Sequence, residues 1–166
     1  YTLSLHDALP IYRSAAGELP HAELALVVSS RKNVGGLDRA ERVGIKHIYI
    51  GKENFEQELI KLLDEHEIDI IVLAGFLKIL SSDFVSRYPD RIINVHPSLI
   101  PSFCGDGFYG LRVHEAALSY GVKVTGATVH FVNEVTDGGK IIAQHAVDVK
   151  DGDTPEILQR RVMEEA

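Results

Sequence analysis

Tryptophan is absent from this 166-residue chain, and cysteine and methionine occur once each. The single thiol, Cys104, cannot close an internal disulfide. The eight histidines show neither H-x-x-x-H spacing nor a Cys/His pattern of the kind that holds zinc, so no disulfide framework and no metal centre is expected. That cysteine usage fits a reducing, cytoplasmic location. Runs of Lys and Arg are missing, and 24 acidic against 17 basic residues leave a formal net charge of -7. A dedicated nucleic-acid or anionic-membrane surface needs a concentrated basic patch, so both partner classes are excluded. The most apolar stretch, Ile68 to Leu80, carries Asp69 and Lys78 and falls short of a bilayer span; it is expected as a buried strand. Low-complexity segments and internal repeats are also lacking. What remains, 45% hydrophobic and 25% charged residues, is the composition of an ordinary globular domain with one sizeable core.

Apolar segments with strand character cover 23–30, 47–51, 69–75, 91–96, 124–132 and 140–149. Helical patterns lie between the early ones, at 36–44, 54–67 and 82–89, the second with Phe55, Leu59, Leu62 and Leu63 at helical spacing. Such alternation predicts an α/β fold with right-handed crossovers on a mostly parallel sheet. The last two strands are joined by NEVTDGGK, a short glycine-rich link that predicts an antiparallel hairpin. Further on, Thr154 is placed to cap a helix with Pro155 at its first position, followed by Ile157, Leu158 and Val162 on one face. The opening YTLSLHDALPI offers only a weak strand alternation at Tyr1 to Leu5 and resembles the translation of a sequencing adapter. Residues 1–11 are therefore expected to be non-native, and 12–166 to form the domain.

Three pieces carry chemistry. RIINVHPSLIP ends an apolar strand with Asn94 and His96, two positions apart and so on one face, and Pro97 stops the ladder. In an open α/β sheet that end of the strand is where ligands bind. The loop HPSLIPSFCGDGFYG follows, and Thr136-Asp137-Gly138-Gly139 forms the later hairpin tip. An amide donor, an imidazole and a carboxylate able to orient that imidazole suit acyl-type transfer to an amine. The amide and an imidazolium stabilise the tetrahedral oxyanion, the carboxylate takes the surplus proton, and no covalent nucleophile is needed. Each piece also has a structural explanation. Asn94 and His96 can be satisfied by loop backbone, Asp137-Gly138 suits a turn, and Cys104, His114 and His130 read as structural residues.

NVHPSLIPSF and VTGATVHFVNEVTDGGKII resemble the folate-dependent phosphoribosylglycinamide formyltransferase family, as do VVSSRKNVGGLDRAERVGI and DIIVLAGFLKILSSDFV upstream. The resemblance runs from about Tyr12 to Ala166. It implies a Rossmann-like formyltransferase fold and transfer of a formyl group from 10-formyltetrahydrofolate to the amino group of glycinamide ribonucleotide in purine biosynthesis, with no metal. By position, Asn94 corresponds to the donor to the formyl oxygen, His96 to the proton donor and Asp137 to the group that favours protonated His96. The resemblance also implies a folate site of Leu77, Lys78, Ile79 and Leu80, closed by Asn133, Glu134, Val135, Thr136 and Asp137, with Lys52 as a nearby basic residue. It places the nucleotide partly against Met163, Glu164, Glu165 and Ala166, the two glutamates being the expected ribose contacts.

The family's first strand and its G-x-G-S-N phosphate loop have no counterpart ahead of Tyr12, and the final helix stops at Ala166. The chain is therefore expected to be truncated at both ends, with weak nucleotide binding and low stability. Other folate-dependent formyl enzymes share the Asn, His and Asp pattern. Pro97 departs from the second histidine of the deformylases, and the loop lacks the arginine and Gly-Ala-x-Pro segment of the methionyl-tRNA enzymes. A catalytically silent folate-binding module is the remaining alternative.

Overall fold

The computed structural model describes residues 9–32, 34–51, 53–76 and 78–165. The possible strand at Tyr1 to Leu5 lies outside them. The chain divides into two compact units, Tyr1–Asp69 and Ile70–Ala166.

In the first unit, helix α1 (Leu9–Ala15) runs across the boundary expected between residues 11 and 12. Strand β1 (Val27–Ser29) and strand β2 (His47–Tyr49) then pair in parallel around helix α2 (Gly35–Arg42). Both strands are shorter than their apolar segments, because only three residues of each find a ladder partner. Helix α3 (Phe55–Glu65) buries Phe55, Leu59 and Leu63, the face its spacing predicts.

The second unit holds a four-stranded sheet in the order β3 (Ile71–Leu73), β4 (Ile92–His96), β5 (Val124–Phe131), β6 (Ile141–Asp148). Helix α4 (Ser82–Arg87), whose first turn is capped by Ser81 Oγ accepting the Phe84 N–H, links β3 to β4, and these two strands are parallel. Pairing becomes antiparallel one strand earlier than the hairpin alone requires. Helix α5 (Leu111–Tyr120) returns the chain to the end of the sheet at which β4 left it, so β5 runs back along β4. The predicted hairpin follows between β5 and β6. Gly139 serves it by close approach, since a Cβ there would meet the Phe131 carbonyl at 1.7 Å.

Helix α6 (Pro155–Glu165) begins as predicted, with Thr154 Oγ1 accepting the Ile157 N–H at 3.3 Å. Arg161 clasps the same region, donating to both carboxylate oxygens of Asp153 and to the Asp148 carbonyl. Its guanidinium holds the Asp153 carboxyl down at about 2. Leu158 and Val162 pack on Ala127 and Val147 to form a buried cluster. Replacing Thr154 with alanine is expected to cost ~1 kcal/mol, read as a lower urea midpoint at constant m-value. Among the described residues no helix is long and apolar enough to cross a membrane.

Candidate active site

Antiparallel register turns two sequence patterns into a grid. Asn94 lies directly opposite His130, and His96 directly opposite Thr128, which in turn faces Gln144 on β6. Directly opposed residues project to the same face, so N-x-H on β4 and T-x-H on β5 form two adjacent polar rows. Ala127, on the other face of β5, meets α6.

Two loops close over the rows. His96 Nε2 is 2.9 Å from the Phe103 carbonyl, which can only accept, so this nitrogen carries its proton toward the loop. The other ring nitrogen, Nδ1, is 3.4 Å from Asp137 Oδ2, and both side chains are almost fully buried. Asp137 comes from the hairpin tip, where its φ of 54° forms the turn. Its Oδ2 also accepts the Gly105 N–H at 2.9 Å, and its Oδ1 lies 3.6 Å from His130 Nε2. Asp137 thus forms the turn and faces His96 and His130 at the same time. His96 Nδ1 therefore faces a carboxylate already oriented by loop backbone.

His130 is the group that sequence reasoning took for a structural residue. Its Nδ1 is 2.9 Å from the Phe131 carbonyl, leaving Nε2 to accept from the Asn94 amide nitrogen at 3.2 Å. The available signal was its period-two spacing from Thr128 on a strand able to pair with N-x-H. His114 was also read as a satisfied structural residue, and the structure corrects this. It is fully buried on α5, and among the described residues neither ring nitrogen has a hydrogen-bond partner. Burial first, then the nearby His96, push it down to about 4. Cys104 Sγ donates to the Pro101 carbonyl, and burial followed by the Asp137 charge raises its pKa, so it is no activated nucleophile.

The remaining expected residues divide. Asn133, Glu134 and Val135 line an open depression of about 350 Å³ with Val132, with Val85 and Ser86 of α4, and with Pro89 and Asp90 just after it. Thr136, between that segment and Asp137, is exposed. Lys78, Ile79 and Leu80 do not line this depression, and Ile79 is 80% exposed. Lys52, Leu77 and Ala166 lie outside the described residues. Met163, Glu164 and Glu165 belong to the last turn of α6, a helix packed on the sheet face opposite the grid, so the structure does not bring them to Asn94, His96 and Asp137.

An amide, two imidazoles and a carboxylate thus converge at the end of β4. The chain belongs to the formyl transferase family, whose model matches residues 4–166. It is similar to the chloroplastic phosphoribosylglycinamide formyltransferase of Arabidopsis thaliana, at 40% identity over 152 residues, or 87% of this chain. That match covers 52% of the plant protein, so the chain spans about half the length of that relative. The crystal structure of phosphoribosylglycinamide formyltransferase from Anaplasma phagocytophilum superposes with a TM-score of 0.85 at 34% identity, over 96% of this chain and 75% of that one. A formyltetrahydrofolate deformylase structure from Pseudomonas syringae pv. tomato also matches, with a TM-score of 0.82 at 30% identity, over 98% of this chain and 53% of that one.

Proposed function

We propose that the protein carrying this chain transfers a formyl group from 10-formyltetrahydrofolate to the amino group of glycinamide ribonucleotide. The observation that carries the reading is the placement of Asp137 at 3.4 Å from His96 Nδ1, with Asn94 on the same face. Attack by the substrate amine converts the formyl carbonyl into a tetrahedral oxyanion. The Asn94 amide has two N–H donors; His130 takes one, leaving the second for that oxyanion. The intermediate collapses as the bond between the formyl carbon and the folate nitrogen breaks; His96 supplies the proton that nitrogen takes up, and Asp137 receives the one released by the amine, so charge does not accumulate in the site. The depression lined by Val132 to Val135 borders the segment that ends in Asp137, which supports a pterin site along that segment. Contacts of Met163 to Glu165 with the nucleotide rest on family resemblance alone.

The deformylase likeness favours one second reading, in which water replaces the amine as acceptor. Incubating the protein with 10-formyltetrahydrofolate, with and without glycinamide ribonucleotide, separates the two. Formylated nucleotide and tetrahydrofolate appearing together only when the nucleotide is present is the expected result. Equal formate release in its absence would establish hydrolysis, and folate binding without turnover would leave a silent binding module.

A further inference from the structure

We propose that Gln144, on the edge strand β6, is a positioning residue for His96, acting through Thr128 and the loop that follows β4. The inference deepens the function proposed above and rests on His96 being its proton donor. His96, Thr128 and Gln144 form one cross-strand row. The Gln144 amide nitrogen has two hydrogens, and both are used: one goes to the Ile100 carbonyl at 3.0 Å and the other to Thr128 Oγ1 at 3.0 Å. Thr128 Oγ1 accepts the Ile100 N–H at 3.1 Å and donates to the Ser98 carbonyl at 2.6 Å, which completes the capacity of a hydroxyl.

Ile100 is therefore held at both backbone groups by side chains rising from the sheet. Ser98 Oγ adds a bond to the Ser102 carbonyl and stiffens the same turn. The residues just downstream hold the site: the Phe103 carbonyl meets His96 Nε2, and the Gly105 N–H meets Asp137. Height of the loop above the sheet thus determines where the imidazole and its carboxylate lie. Thr128 is fully buried, so its replacement risks the fold. Gln144 sits on the exposed edge strand and is the safer lever.

Gln144→Met keeps the length of the side chain and removes both donors. It is expected to lower kcat about tenfold, with KM for the formyl donor unchanged within about twofold, because the defect lies in orientation and not in binding. The pH profile of kcat should shift as His96 loosens against Asp137. Gln144→Glu is nearly isosteric but places a carboxylate beside the Ile100 carbonyl, and an equal or larger loss is expected from it. Parental kcat and pH profile in both variants would overturn the proposal. Faster amide exchange at Ile100 with unchanged kcat would overturn it too, since the contact would then hold the loop without consequence for His96. If the parent protein shows no formyl transfer, the proposed function fails separately. The ring nitrogen NMR signals of His96 then decide: a change in Gln144→Met supports the strut, and identical signals remove it.

Discussion

Replacing His96 with alanine is expected to lower kcat for formyl transfer by about 10²–10⁴-fold, with little change in KM for the formyl donor. The magnitude follows from what the ring does. It is nearly buried, tied through Nε2 to the Phe103 carbonyl, and opposed through Nδ1 to Asp137. No other described side chain occupies its position in the grid, so its proton has no ready substitute. Asp137→Asn tests the partner with the shape kept. The amide oxygen can still accept the Gly105 N–H, but the charge facing both His96 and His130 is gone. A loss of roughly 10²-fold is expected there, with the pH dependence of kcat displaced. Steady-state rates in folded variants check both results, and a His96→Ala protein turning over at the parental rate would remove the proton donor from the mechanism.

Stability is expected to fall by ~3 kcal/mol as pH drops from 6.5 to 4, through His114 alone. In the folded protein this histidine is held down to about 4, chiefly by burial and then by His96. In the unfolded chain it titrates near its ordinary value of about 6.5. Between those two values the unfolded state binds a proton that the folded state refuses, so acid favours unfolding. Above 6.5 both states are neutral and the effect vanishes. Because neither ring nitrogen is paired among the described residues, His114→Leu is expected to flatten the acid limb at little cost near neutrality. Urea unfolding of parent and variant at several pH values measures the difference; parallel acid limbs would show that His114 does not contribute.

Much of the site was legible because strands impose a period of two. Asn94 and His96 had to share a face, Pro97 had to end the strand, and Asp137 with its glycines had to form a tight turn. The α6 cap at Thr154 and the buried face of α3 were equally local. His130 was not legible, since its role depends on which residue of β5 stands opposite Asn94. The antiparallel course of β5 concealed that register, because a helix between two strands ordinarily marks a parallel crossover. Gln144 was further out of reach, requiring a second pairing and a folded loop to meet its amide. Of the expected folate residues, those at 133–135 line the depression beside α4 and Lys78 to Leu80 do not.

By itself, the order of residues along this chain determined what short-range sterics and hydrogen bonding can enforce: helix faces and caps, strand ends, the hairpin tip, and which polar groups share a side. Tertiary structure alone decided which of those sides meet. Strand direction and register join groups distant in sequence, and a one-residue slip on β5 would turn Thr128 and His130 to the opposite face. Packing of α6 on one side of the sheet and closure of two loops on the other then separated core from polar grid.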